Sequence, residues 1–185
     1  MKTVWLFLAD GFELVEALCP LDVLRRAGAE VVTVSLTAQK EATSSNGVTV
    51  KTDKTLSELP FDKEPDLVIL PGGMPGAAHL RGCPTVCEIV GRVAGKGGFV
   101  AAICAAPFVL GELGLLRGRR ATCFPGFEDR LTGAVIEKDK VVRDGNIVTA
   151  AGMGASLPFA AALVEALFDR SKADAILASI QTPGT

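Results

Sequence analysis

Apolar runs of strand length alternate along the chain with segments in which apolar residues recur every three or four positions. The strand-like runs are almost continuously apolar, as in TVWLFLA, which is typical of strands buried on both faces of a sheet. These runs cover residues 3–9, 30–36, 66–70 and 98–104, with a shorter one at 121–124. Helical spacing predicts helices at 14–27, 77–93, from just after Cys104 to about 116, at 156–168, and in a short tail from Ala173.

The segment 134–149 has a different pattern. It alternates apolar and polar residues and contains Asp144-Gly145, so we expect two antiparallel strands at or beside the edge of the sheet. The stretch SSNG at 44–47 indicates a turn between short strands. The pattern therefore predicts a flavodoxin-like α/β fold, doubly wound, with a mainly parallel sheet sandwiched by helices and a small antiparallel hairpin. No linker or repeat interrupts the chain, which predicts one domain over 1–185.

Composition narrows the functional classes. The chain has 185 residues, 49% of them hydrophobic, and a formal net charge of −2 without any block of like charge, so we expect no nucleic-acid partner. Five cysteines cannot form a complete set of disulfides, which favours reduced thiols and a cytoplasmic location. The apolar start of the chain is soon followed by acidic residues, so we expect neither a signal peptide nor a membrane association. A single histidine makes a zinc site at Cys83 and Cys87 improbable.

Ligands of open α/β sheets bind beyond the carboxyl ends of the strands. The residues that follow the predicted strands are therefore the candidates for a site. They are Asp10, Gly11, Phe12, Glu13 and Glu16 after the first strand, Gly72, Gly73 and Met74 after the third, Cys104 after the fourth, and Gly152, Met153 and Gly154 late in the chain.

Cys104 lies in the stretch AAICAAP, at a junction between a strand and a helix. Free N–H groups and the positive end of the helix dipole favour a thiolate there, and the surrounding alanines leave room for a substrate. Position alone is equally consistent with a buried packing cysteine. Two readings of Cys104, a nucleophile and a core residue, are therefore open.

Glu16 favours the first reading of Cys104. If the first helix packs on the sheet, Glu16 can reach the sulfur, and a half-buried carboxyl would have a raised pKa and stay protonated as a donor to the thiolate. The alternative is a solvated helix charge, which is how we interpret Glu13. N–H groups after Gly72 are candidates for an oxyanion hole. His79 is more simply a hydrogen-bonded surface residue, and no serine-elbow or phosphate-loop motif is present.

Four ordered motifs resemble the ThiJ/PfpI superfamily, in its DJ-one branch of bacterial type. They are ADGFELVEALCPLDVLRRAG, DLVILPGGMPGA, AAICAAP and DGNIVTAAGMGAS, and they span nearly the whole chain. The resemblance implies a flavodoxin-like sandwich that forms a homodimer. It also implies a reactive Cys104, a hydrogen-bonded Glu16, and a pocket lined by N–H groups of Gly72, Gly73 and Ala105.

Activities assigned to members of this family include cofactor-independent glyoxalase and deglycase reactions, and chaperone and oxidative-stress roles. This chain departs from the family pattern at three positions near the site. Phe124 stands where some members have a histidine, and Asn46 and Ala151 stand where arginines contribute to an anion-binding pocket. The departures disfavour a Cys–His dyad and tight binding of anionic substrates. Ala105 replaces the histidine of the protease branch, which disfavours protease activity.

Three functions are weighed on this basis. The first is an enzyme, a glyoxalase III-type hydro-lyase or deglycase, which acts through Cys104 and Glu16 on methylglyoxal-like dicarbonyls or glycated substrates and needs no metal or other cofactor. The second is a non-catalytic redox sensor or chaperone with an oxidisable Cys104. The third is a nucleotide-binding module, which the absence of a phosphate-binding loop disfavours.

Overall fold

A seven-stranded sheet forms the centre of the protein in the computed structural model, which describes residues 1–60 and 62–182. The strands of this sheet are β1 (Thr3–Leu8), β2 (Glu30–Ser35), β5 (Lys54–Thr55), β6 (Leu67–Leu70), β7 (Phe99–Ile103), β10 (Val141–Asp144) and β11 (Ile147–Ala150). Their order across the sheet is β10-β11-β7-β6-β1-β2-β5. All neighbours pair in parallel except β10, which is antiparallel to β11 at the edge.

Helices cover both faces of this sheet, which confirms the predicted flavodoxin-like α/β class. Their bounds are α1 (Leu14–Arg26), α2 (Gly76–Gly82), α3 (Pro84–Gly95), α4 (Pro107–Glu112), α5 (Ser156–Leu167) and α6 (Arg170–Ser179). Two further strand pairs lie outside the main sheet, β3 (Glu41–Thr43) with β4 (Thr49–Lys51), and β8 (Arg120–Ala121) with β9 (Val135–Ile136).

Strand β1 shows why the central strands are apolar throughout. Its side chains alternate between the two faces of the sheet, and each face carries its own buried cluster. Trp5 and Phe7 pack with α3 on one face, while Leu6 and Leu8 pack with α1 and α5 on the other. Both faces of the sheet are covered by helices, so a ligand site is expected at the edge of the sheet where the strands have their carboxyl ends.

Two predicted helices are shorter in the structure. The helix expected at 77–93 is broken at Cys83, which is extended (φ −92°, ψ 106°), because the proline that follows it disfavours a helical conformation in the residue before it. The helix expected to reach about 116 ends at Glu112, and Gly114 and Gly118 then adopt positive φ.

The segment 134–149 was predicted only in part correctly. The antiparallel hairpin exists, with Gly145 at positive φ in its turn, but it comprises β10 and β11 alone. The earlier residues Val135–Ile136 form β9, which pairs in parallel with β8 instead. The turn expected at 44–47 is confirmed between β3 and β4, and the tail helix is longer than expected and begins at Arg170.

Candidate active site

The carboxyl ends of four neighbouring strands, β11, β7, β6 and β1, bring the predicted site residues to one edge of the sheet. Cys104 follows β7, Gly72 follows β6, and Glu16 lies in the first turn of the helix after β1. The chain goes from β1 outward to β2 and then returns to β6 on the other side, so this edge includes the point where the strand order reverses. It is the position where sheets of this type bind ligands.

Cys104 has a left-handed backbone conformation, with φ at 64°. Such a conformation is strained for a side chain other than glycine, and the surrounding chain holds it on both sides. Its N–H donates to the carbonyl of Ala150 at 2.9 Å, and its own carbonyl accepts from the N–H of Phe124 at 2.8 Å. The sharp turn projects the side chain from the strand end, where it is partly exposed.

Glu16 is fully buried, and the start of α1 explains how it points inward. The carboxylate of Glu13 caps the helix by accepting the N–H of Glu16 at 2.7 Å. Glu13 is therefore a partly exposed charge, as expected, and it also caps the helix, a role not predicted from the sequence. The Glu16 Oε2 atom accepts the N–H of Gly72 at 3.0 Å, whereas Oε1 has no hydrogen-bond partner of good geometry among the described residues.

Gly72 lies between the Glu16 carboxyl and the Cys104 side chain, and its lack of a side chain allows the two to approach each other. A Cβ atom at this position would lie 2.5 Å from Oε2 of Glu16 and 2.6 Å from Cβ of Cys104. Any larger residue would push the two groups apart, so the glycine allows them to come together. Both groups therefore border the same glycine, and the Glu16 carboxyl interacts with the Cys104 side chain.

The pKa of Glu16 is raised from 4.5 to about 7. Burial is the main cause, since an ionised carboxylate loses its hydration there, and the negative charge of Glu13 adds to the effect. Interactions with Cys104 and with the N–H of Gly72 act in the opposite direction. The expected rise in pKa is confirmed, but the expectation that the carboxyl stays protonated holds only below about pH 7, since near neutral pH both forms of Glu16 are populated.

The pKa of Cys104 is also raised, to about 12. Burial contributes most and the Glu16 carboxylate is next, while N–H groups of Ala105 and Gly73 stabilise the thiolate in part. The expectation of a thiolate held by a helix dipole was wrong, because α4 begins only at Pro107 and a buried negative charge lies beside the sulfur. Near neutral pH, Cys104 is therefore a protonated thiol, including when the Glu16 carboxyl beside it is ionised.

The three predicted N–H donors divide into two roles. The N–H of Gly72 is already bonded to Glu16, so it positions the acid. The N–H groups of Gly73 and Ala105 point toward the sulfur of Cys104. These two donors are the ones available to a negatively charged oxygen that develops next to the sulfur.

His79 takes no part in this cluster. It is exposed on α2, and its Nδ1 lies 3.0 Å from the carbonyl oxygen of Asp10, in agreement with the surface role expected for it. Cys123 is buried in the apolar cluster on the opposite face of the sheet from Cys104, and burial together with the charge of Glu128 raises its pKa to about 11. Neither residue is placed to assist the thiol.

Two further residues border the thiol, and only one of them, Gly152, was among the candidates predicted from the sequence. Phe124, noted only as a departure from the family, lies with its ring partly exposed beside the site. Gly152 also borders the thiol, since a Cβ atom added to it would be 4.0 Å from Sγ of Cys104. Gly152 was a candidate because it follows the apolar strand β11, and the structure places it at the site as expected.

In the described part of the chain, no three histidine, cysteine, aspartate or glutamate side chains are grouped so that they could hold a metal ion. Over the same residues, no helix has both the length and the hydrophobicity needed to cross a bilayer.

The fold and the site define a flavodoxin-like protein with a cysteine at the carboxyl edge of its sheet. The profile of the DJ-1/PfpI family matches residues 2–166, and the chain belongs to that family. It is 39% identical over 178 residues to protein DJ-1 homolog A of Arabidopsis thaliana, covering 95% of this chain and 45% of that one. It is 31% identical over 170 residues to the glutathione-independent glyoxalase DJR-1.2 of Caenorhabditis elegans, covering 91% and 89% respectively.

The fold is also similar to that of solved structures from this family. The oxidised DJ-1 of Toxoplasma gondii superposes with a TM-score of 0.94 at 34% identity, over 99% of this chain and 100% of that chain. The chain spans less than half the length of the two Arabidopsis relatives, but most of the length of the Caenorhabditis glyoxalase.

Proposed function

We propose that the protein is a cysteine-dependent, cofactor-independent enzyme that converts methylglyoxal-like 2-oxoaldehydes to 2-hydroxy acids. The observation that carries this proposal is the buried Glu16 carboxyl against the Cys104 side chain, with a pKa near 7. A carboxyl with such a pKa exchanges protons readily at neutral pH. A relative named as a glutathione-independent glyoxalase supports the same chemistry.

The first step is covalent. The Glu16 carboxylate accepts the thiol proton of Cys104 while Sγ bonds to the aldehyde carbon, and this replaces the need for a preformed thiolate. The electron pair of the carbonyl moves to its oxygen, next to the N–H groups of Gly73 and Ala105. Protonated Glu16 then returns its proton to this oxygen, which gives a hemithioacetal.

The next steps move a proton between two carbons. Glu16 removes the proton from the former aldehyde carbon, which gives an enediolate, and delivers it to the neighbouring carbon. The hydroxyl proton on the former aldehyde oxygen moves to the former ketone oxygen, so that the first carbon becomes a thioester carbonyl and the second an alcohol. The aldehyde carbon is oxidised to a thioester while the ketone carbon is reduced to an alcohol, so no external oxidant or reductant takes part. Water then hydrolyses the thioester, releasing the 2-hydroxy acid and the thiol. A deglycase reaction would begin from a hemithioacetal or aminocarbinol of the same dicarbonyl. The bond to the glycated thiol or amine breaks, the leaving group takes a proton, and the aldehyde so released is attacked by Sγ as above.

The experiment is the measurement of lactate formed from methylglyoxal by the wild-type protein and by Cys104→Ser and Glu16→Gln variants. We expect both substitutions to reduce kcat/KM by at least a hundredfold, since Cys104 forms the covalent bond to the substrate and Glu16 transfers the protons. Cys87→Ser is the matched control, because Cys87 lies on α3 and donates to the carbonyl of Arg81. Equal lactate formation by the wild type and Cys104→Ser would rule the proposal out.

A second candidate function is a redox sensor or chaperone, the stress-protective role weighed from the sequence. It is supported by the partial exposure of Cys104 and by Glu16, which is protonated below about pH 7 and can then donate to an oxidised sulfur, whereas the raised pKa of the Cys104 thiol works against oxidation. Mild peroxide followed by mass spectrometry tests it. The sensor hypothesis predicts selective sulfinate formation at Cys104, and oxidation no greater than at Cys83 or Cys87 contradicts it.

A further inference from the structure

A cavity of about 340 Å³ lies beside the reactive cysteine and has no part in the steps described above. Its side-chain walls are apolar and comprise Phe124, Pro125, Ala151 and Met153. Phe124 and Met153 are 48% and 55% exposed, which is unusual for side chains of this size and shows that no other described part of the chain covers this wall. The volume is well above what the methyl group of methylglyoxal would fill.

Gly152 connects this cavity to the sulfur. A Cβ atom added there would lie 3.3 Å from Cδ2 of Phe124 and 4.0 Å from Sγ of Cys104, so the ring and the thiol face the same small space. The backbone of Gly152 is extended (φ 161°, ψ −171°), a conformation open to any residue. Its lack of a side chain therefore matters for the space it leaves between the thiol and the ring.

The charge around the cavity is low. Among the described residues that line it, Lys140 is the one charged side chain, and it is exposed to solvent. Ala151 contributes only a methyl group to the wall, and Asn46 lies exposed in the turn between β3 and β4. An anionic substituent would find little compensation beside Phe124, whereas an apolar one would exchange water for ring and thioether contacts.

We propose that this cavity is a substrate subsite for an apolar substituent of aryl or branched-alkyl size, so that the preferred substrates are arylglyoxals and bulky alkylglyoxals. This inference rests on the proposed function, since the carbonyl must be attacked by Cys104. Phe124 and Met153 then select the substituent, and Gly152 leaves the passage through which it reaches the cavity.

The test compares kcat/KM for phenylglyoxal and methylglyoxal in the wild type and in Phe124→Ala and Gly152→Ala. The ratio of the two kcat/KM values is then compared between each variant and the wild type. This comparison removes the difference in intrinsic reactivity between the two aldehydes, which is the same for every protein. We expect the ratio to fall about tenfold or more in both variants. Phe124→Ala removes an apolar contact and Gly152→Ala adds a methyl group that narrows the passage, and a missing or extra group of methylene size in a pocket costs about 10–200-fold. Val135→Ala is the matched control, since Val135 is also exposed and apolar but lies on β9, outside this cavity.

A second measurement keeps the subsite testable apart from turnover. Alkylation of Cys104 by iodoacetamide and by N-benzyliodoacetamide, quantified by mass spectrometry, should favour the benzyl reagent in the wild type and lose that preference in Phe124→Ala. Turnover of both aldehydes with an unchanged ratio in Phe124→Ala overturns the subsite but leaves the proposed function intact. No turnover of either aldehyde, with the benzyl preference present, overturns the proposed function and retains the subsite. Equal alkylation by both reagents overturns the subsite.

Discussion

Glu16→Gln should make the protein more stable than the wild type at alkaline pH. The substitution keeps the shape of the side chain and an oxygen that can accept the N–H of Gly72, but it removes the buried ionisable group. The new amide N–H₂ replaces an oxygen atom, Oε1, that has no good hydrogen-bond partner among the described residues. The loss of activity expected for this variant is thus accompanied by a gain of stability.

The size of the effect follows from the raised pKa. A carboxyl that releases its proton near 4.5 in the unfolded chain and near 7 in the folded protein contributes stability that is fully present below pH 4.5 and is lost as the pH rises through 7. A difference of this size corresponds to about 3 kcal/mol. Since glutamine does not titrate, the advantage of the variant over the wild type should grow by about 3 kcal/mol between pH 4.5 and pH 8.

Urea denaturation of both proteins under reducing conditions, at half-unit steps over this pH range, measures the difference directly. The change with pH is the decisive quantity, because any constant effect of the amide cancels in it. Glu30→Gln, at an exposed position at the start of β2, is the control and should follow the wild type throughout. A constant difference between Glu16→Gln and the wild type would refute the reasoning, since it would mean that Glu16 titrates alike in both states.

Three further predictions concern the same molecule. Gly72→Ala should reduce stability by about 1–3 kcal/mol in urea denaturation and greatly reduce turnover, because the added methyl overlaps both Glu16 and Cys104; wild-type activity in this variant would contradict the geometry. For dicarbonyl turnover, log kcat/KM should rise with pH up to about 7 and then level off, as the Glu16 carboxylate forms; a profile flat between pH 5.5 and 8 would exclude Glu16 as the base. The family resemblance leads us to expect a homodimer, and Val15, an exposed apolar residue of α1, is our candidate contact. Sedimentation should give twice the chain mass for the wild type and a shift toward monomer for Val15→Arg, whereas a wild-type monomer would contradict this.

The sheet and the position of the thiol could be predicted because both depend on local patterns. A strand buried on both faces must be apolar throughout, as β1 is, and a cysteine directly after such a strand falls at the carboxyl edge of the sheet. The break at Cys83 was also readable, since Pro84 is a local signal, but helical spacing on both sides of it concealed the interruption.

The electrostatics of the site could not be predicted in the same way. The raised pKa of Cys104 depends on how deeply the sulfur is buried and on the charge of Glu16, which lies 88 positions earlier in the chain. The helix dipole, which sequence does indicate, is a weaker and more distant influence here because α4 starts three residues later. Likewise, the proximity of Phe124 and Gly152 results from the packing of separate loops.

The left-handed backbone of Cys104 bears on how this protein responds to selection. Holding a side chain at φ 64° costs about 1 kcal/mol relative to glycine, and asparagine also tolerates this region better than most residues. Selection for heat resistance alone, without any requirement for turnover, should therefore favour glycine or asparagine at position 104. Retention of cysteine through such an experiment would indicate that the thiol benefits the host cell by some route other than keeping the chain folded.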